Sequence, residues 1–160
     1  MDAELLNQVS ARLLERALTV AVAESCTGGL LGHWLTNIPG SSGYFLGGMI
    51  CYSVASKRDL LGVSAETIHR YGAVSGATAQ EMAVRARALF GASYALAITG
   101  IAGPAPGEAG EPVGLVYIGF ASAARQLVER HQWTGSRLEN KENAARAALA
   151  LLRRHLPDGA

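Results

Sequence analysis

Charge of one sign is what this chain lacks most plainly: 14 lysines and arginines stand against 13 aspartates and glutamates, a net charge of +1 over 160 residues. Without a basic excess there is no global field to hold nucleic acid, so direct nucleic-acid binding is not expected and any bound phosphate must be met by local groups. Cysteine is scarce as well. Cys26 and Cys51 are too few for a disulfide framework, and no CxxC or Cys/His spacing offers a zinc site. No metal and no cofactor are therefore expected. Apolar runs stay far short of the ~18 residues of a membrane span, and Met1-Asp2-Ala3-Glu4 lacks the basic-then-apolar plan of a signal peptide. What these absences leave is a cytoplasmic domain with no membrane contact.

What is present is an ordinary interior. Hydrophobic residues make up 49% of the chain, and a chain this long buries enough apolar surface to fold as a single domain over residues 1–160. Leu5, Leu6, Val9, Leu13, Leu14 and Ala17 recur at helical spacing and predict a helix over 4–17. A β-rich run over 19–23 leads through Glu24-Ser25-Cys26-Thr27-Gly28-Gly29 into a second helical period at Leu30, Leu31, Trp34 and Leu35. Residues 45–52 read as a strand and 53–61 as a short helix stopped at Gly62. Ser64 and Ser75 are placed as N-caps, with a helix over 77–90. A strand over 94–99 follows, then a Gly/Pro-rich loop through Pro112, a hairpin of 113–120 with 126–133, and a long helix over 137–155. Helices alternating with strands, with one hairpin inserted, predict a three-layer α/β/α sandwich around a mixed, mainly parallel sheet. Met49, Trp34 and Trp133 offer apolar surface from which a homo-oligomer, taken as a dimer, is expected.

Ligands of such sheets gather where strands end and loops open. Two strand ends carry unusual sequences, Ala23-Glu24-Ser25-Cys26-Thr27-Gly28-Gly29 and Thr99-Gly100-Ile101-Ala102-Gly103-Pro104. The first opens a helix, whose free N–H groups favour an anion or oxyanion. A tight strand-to-helix turn capped by Ser25 or Thr27 accounts for the same residues without a ligand.

A serine hydroxyl needs a base to act as a nucleophile. His33, His69, His131 and His155 make no convincing triad from their positions. Lys57 lies just past the second strand, where the chain can turn back to the strand ends. Only its neutral form is a base, roughly one molecule in 10³ at neutral pH for an unperturbed lysine, and burial raises that share. A surface lysine is the plainer reading. Cys26, beside Ser25, reads as a small buried hydrophobe, or as a thiol acidified by the helix terminus. Arg137 and Lys141 stand one turn apart at the start of the last helix. They are either solvated charge or a phosphate grip in which Arg137 supplies a planar fork.

Taken together these segments resemble the CinA C-terminal domain family. The matches run in family order over about residues 5–155: Ala23 to Gly29, Gly40-Ser41-Ser42, Tyr52-Ser53 with Lys57, Gly72-Ala73-Val74-Ser75, Thr99 to Pro104, Pro112-Val113-Gly114, and Gly135 with Arg137. The resemblance implies hydrolysis of the carboxamide of a pyridine nucleotide, nicotinamide mononucleotide, to nicotinic acid mononucleotide and ammonia without a metal. It places the nucleophile on Ser25, the base on Lys57 and a further catalytic residue on Tyr52. On this reading Thr27, Gly28 and Gly29 hold the oxyanion, Thr99, Gly100 and Gly103 line the nucleotide pocket, and Arg137 with Lys141 meets the phosphate. Three positions depart from the family pattern: Val54 where Asn is common, Ser136 where Asp is common, and Lys141 where a second Arg is common. Larger members carry an N-terminal nucleotide-binding domain for which 160 residues leave no room, so the stand-alone form is expected. Two rival readings are a module that holds a nucleotide without chemistry, and a competence- or repair-associated interaction protein.

Overall fold

The amphipathic period near the N-terminus forms helix α1 (Ala3–Glu15), started by Asp2, whose carboxylate accepts the Leu5 N–H at 3.1 Å. Residues 2–157 are described by the computed structural model. Strand β1 (Val20–Glu24) is buried along its whole length. It pairs in parallel with β2 (Phe45–Ile50) on one side and with β3 (Tyr94–Gly100) on the other. The five-stranded sheet runs β2-β1-β3-β4-β5, with β4 (Leu115–Ala121) antiparallel to both β3 and β5 (Gln126–Gln132). Four strands thus point one way and β4 alone opposes them.

Helices cover both faces. On one side lie α1, α2 (Leu30–Thr36) and α5 (Arg137–His155); on the other lies α4 (Gly76–Phe90), with α3 (Ala65–Tyr71) packed on it. The alternation of β3 divides the core between them. Leu96 and Ile98 enter the larger cluster with α1, α2 and α5, whereas Ala95 and Ala97 face α4 with Ala23, Ala83, Ala86 and Ala121. Small residues on that face let α4 come close. At Gly119 a side chain would collide with the Ala79 carbonyl oxygen, so glycine is required there.

Ser64 and Ser75 cap α3 and α4 as expected. Ser136 caps α5 in a reciprocal box with Glu139: its N–H donates to the Glu139 carboxylate at 2.7 Å, and its Oγ accepts the Glu139 N–H at 3.4 Å. Serine does here what aspartate does at an N-cap, so this departure leaves the helix start intact. The expected boundaries shift in three places. Helix α1 ends at Glu15 because Ala17 turns left-handed at φ 51°. The hairpin begins at Leu115 because Gly114 donates back to the Ile101 carbonyl at 2.7 Å and Leu115 donates to Pro112, which keeps residues 112–114 in a turn. The short helix over 53–61 is a π-helical stretch, Ser56–Leu60.

The apolar surface expected for a second copy is also corrected. Trp34 is 3% exposed and belongs to the core, and Trp133 is half-buried and stacked on His131 at 4.8 Å. Leu46, Ile50 and Leu60, along the β2 edge and beyond its exit, are among the exposed apolar side chains instead, as are Leu14, Leu89 and Leu138 elsewhere. Among the described residues no helix is long and apolar enough to cross a membrane.

Candidate active site

The C-terminal ends of β1, β2 and β3 meet at one point. Ser25 follows β1 directly, and its N–H is tied to the Ile98 carbonyl of β3 at 2.9 Å. Beyond β2, the Ser53 Oγ accepts the Ser56 N–H at 3.0 Å and starts the π-helical turn that carries Lys57 back toward the sheet. Lys57 is 2% exposed, and its Nζ lies 2.9 Å from Ser25 Oγ, 2.9 Å from the Cys51 carbonyl oxygen and 3.3 Å from that of Tyr52. The surface reading of Lys57 gives way to burial against the serine.

Those three contacts suit either charge state of the amine. As an ammonium Nζ donates to all three oxygens; as a neutral amine its two N–H bonds can go to the two carbonyls, leaving its lone pair to accept the Ser25 proton. Burial lowers the Lys57 pKa below its ordinary 10.5, an effect the neighbouring Cys51 and Cys26 sulfurs offset in part. The sign for stability follows. Below the folded-state value the native protein carries a buried ammonium at a cost. Between that value and 10.5 the unfolded chain binds more protons than the native one, so stability rises with pH. Urea unfolding across that window is expected to show a rise in the native protein that Lys57→Met lacks; parallel curves would contradict it.

The turn after Ser25 is built differently from the expectation. Helix α2 has Gly29 at its N-cap position, with φ 97°, and neither Ser25 nor Thr27 caps it. Glu24 does the capping. Its carboxylate, 1% exposed, accepts the N–H groups of Gly29 at 3.0 Å, Leu31 at 3.1 Å and Gly32 at 2.8 Å. The Gly28 N–H donates to the Ser25 carbonyl at 3.0 Å. The Gly28 and Gly29 amides, expected to hold an oxyanion, thus already have partners within the chain. The N–H groups of Cys26 and Thr27 donate to no other residue among those described. Cys26 itself is a buried thiol whose pKa burial pushes up to about 12, so it carries almost no thiolate at neutral pH. The acidic residue ahead of a helix start was the available signal for Glu24.

Ser25 and Lys57 open onto a cavity of about 410 Å³ walled by Tyr52, Val54, Ala73, Val74, the 100–108 loop and Arg137. Gly100 and Gly103 line it as expected. Thr99 does not: it is fully buried, and its hydroxyl donates to the Ala73 carbonyl at 2.8 Å. Its effect on the cavity is indirect, through the placement of the wall at Ala73. Arg137 reaches across the mouth, donating to the Gly103 carbonyl at 2.5 Å and to the Tyr52 hydroxyl at 3.0 Å. Lys141 stays outside the lining and sits beside Gly28. A residue unread in the sequence, Asn140, fastens the 100–108 loop to α5 by donating to the Ala102 and Gly135 carbonyls at 3.0 and 2.9 Å. Val54 supplies an apolar wall, and no Lys57 Nζ contact runs through its side chain, so this departure leaves the Ser25–Lys57 pair untouched. No histidine lines the cavity. Among the described residues no group of His, Cys, Asp and Glu is arranged to hold a metal.

A family model for the CinA C-terminal domain matches residues 2–156. A putative competence-damage inducible protein of Moorella thermoacetica is 47% identical over 97% of this chain, and a CinA-like protein of Solibacter usitatus is 49% identical over 86%. The aligned parts are 38% and 33% of those proteins, so the chain spans little more than a third of the curated relatives it matches. Among solved structures, a competence-damaged protein (CinA) superfamily protein of Klebsiella pneumoniae superposes with a TM-score of 0.93 at 36% identity, covering 96% of each chain. A competence/damage inducible protein of Agrobacterium tumefaciens gives 0.89 at 40% identity, covering 93% of this chain and 92% of its own.

Proposed function

The chain belongs to the CinA C-terminal domain family, and from that premise we propose that it hydrolyses the carboxamide of nicotinamide mononucleotide to nicotinic acid mononucleotide and ammonia. One observation carries the reading: a buried lysine amine, held by two carbonyls, lies 2.9 Å from a serine hydroxyl at the floor of a cavity. Among the described residues no histidine lines that cavity to serve as a base instead.

The amine of Lys57 takes the Ser25 proton as Oγ attacks the amide carbon. The C=O electrons move to oxygen, and the resulting oxyanion is met by the Cys26 and Thr27 N–H groups, each such donor typically worth ~3 kcal/mol. The Lys57 ammonium returns the proton to the departing nitrogen, the C–N bond breaks, and ammonia leaves. Water, deprotonated by Lys57, then cleaves the Ser25 ester and restores the hydroxyl. Tyr52 and Arg137 frame the mouth, and Arg137 exchanges its Tyr52 contact for the substrate phosphate in a bidentate grip. Lys141 adds charge at a distance and makes no direct contact.

Incubating the purified chain with nicotinamide mononucleotide and measuring ammonia tests the reading. Stoichiometric ammonia and the acid product are expected; nucleotide binding with no ammonia would instead favour a sensing module. Arg137→Ala is expected to raise KM by ~10-fold while leaving kcat within about threefold, since a phosphate contact remote from the amide contributes mainly uniform binding. A fall in kcat alone would remove the phosphate role.

A further inference from the structure

We propose that Glu24 is a positioning residue for the nucleophile, fixing the Ser25–Gly28 turn that holds Ser25 Oγ against Lys57 Nζ. The proposal rests on the reading of Ser25 as nucleophile and adds a residue that touches neither substrate nor reacting atoms. Glu24 lines a different, smaller cavity of about 190 Å³ against Phe45 and Met49, so whatever it does for the reaction it does through the backbone.

Three segments converge on this residue. Its carbonyl accepts the Cys51 N–H at 2.7 Å, and the Cys51 carbonyl in turn holds Lys57 Nζ at 2.9 Å. The next N–H along, that of Ser25, is tied to β3 through Ile98. Its carboxylate reaches forward to Gly29, Leu31 and Gly32, closing a ring around the four residues of the turn. A strand end alone fixes one side of such a turn; the carboxylate fixes the other.

The charge has a second consequence. The first turn of a helix attracts anions through its free amides and dipole. Glu24 already occupies the amides of that turn, so the oxyanion has no competing place at α2. An ordinary helix cap stabilises its helix and nothing more. A positioning residue also sets the rate.

Glu24→Gln keeps the shape but replaces one acceptor oxygen with an NH₂ that faces N–H donors. The expected result is faster hydrogen exchange at Gly29, Leu31 and Gly32, a kcat lower by ~10²-fold, as for a misplacement on the order of 1 Å, and a KM within about threefold. The same loss is expected in labelling of Ser25 by a fluorophosphonate, in which the Oγ–P bond forms, fluoride leaves and the proton passes to Lys57. Labelling does not depend on the natural substrate. A wild-type protein that is labelled at Ser25 yet releases no ammonia would overturn the amidase reading while leaving the Glu24 test in force. Faster exchange with kcat and labelling both within twofold of wild type would reduce Glu24 to a cap and overturn the proposal. Where the glutamine variant does not fold, Glu24→Asp serves, keeping the charge with a shorter reach. A smaller loss in the same direction supports the proposal, and wild-type rates overturn it.

Discussion

Ser25→Ala is expected to lower ammonia release by at least ~10³-fold while leaving nucleotide affinity within about threefold, because it removes the attacking atom and nothing that grips the ligand. The cavity walls at Tyr52, Gly103 and Arg137 are unchanged by the substitution, and Ser25 is 7% exposed, so the loss of one hydroxyl opens little space. Calorimetric titration with nicotinamide mononucleotide, beside an ammonia assay, separates the two effects. Near-wild-type turnover would identify another nucleophile. Cys26 is the adjacent alternative, and its thiol, pushed up to about 12 by burial, carries almost no thiolate at neutral pH.

The second large effect belongs to Lys57. Lys57→Met removes the base, and Lys57→Arg replaces it with a guanidinium that stays protonated throughout the working range. Both variants are expected to lose at least ~10³-fold in kcat/KM, since general-base catalysis and ammonium donation fail together. The native protein provides the sharper signature. Burial lowers the pKa of this amine from 10.5, and in the proposed mechanism the neutral form is the active one. Its kcat/KM should therefore climb with pH and level off once the amine is neutral, with the midpoint below 10.5. Residual activity in the two variants should lack that limb. A variant that keeps both the limb and the rate would place the base elsewhere.

The chain's alternation of helical and period-two segments already carried the layered α/β fold; the structure adds the strand order, shifts several boundaries and shows that β4 is the strand running against the rest. Small residues explain why that detail was hidden. The α4 face is alanine and glycine, and such residues fit a central strand in either direction. At the site, Ser25, Lys57, Gly100, Gly103 and Arg137 were legible because each lies at a strand exit or helix start that the pattern locates. Glu24 and Asn140 were not, although both are about 1% exposed. Their work is done by carboxylate and amide groups reaching backbone atoms five to eight and thirty-eight positions away; an acidic residue ahead of a helix start marks Glu24 without showing what it reaches, and nothing local marks Asn140. The same limit hid the partners of the Gly28 and Gly29 amides. Which amides of a glycine-rich turn are free depends on what a neighbouring carboxylate has already accepted, and only coordinates show that. Thr99 failed in a related way, since a hydroxyl at a strand end can face a ligand or a carbonyl, and here the Ala73 carbonyl takes it.

The whole account rests on the charge state of one amine, and the composition makes it directly observable. Lys57 and Lys141 are the only lysines in the chain, so protein labelled with ¹³C-lysine gives two side-chain Cε resonances, which Lys57→Met assigns. Followed against pH, the Lys57 resonance is predicted to titrate below 10.5 and to report a neutral amine in the range where ammonia is released. A Lys57 resonance that titrates at the ordinary lysine value, leaving an ammonium beside Ser25 throughout the active range, would contradict it.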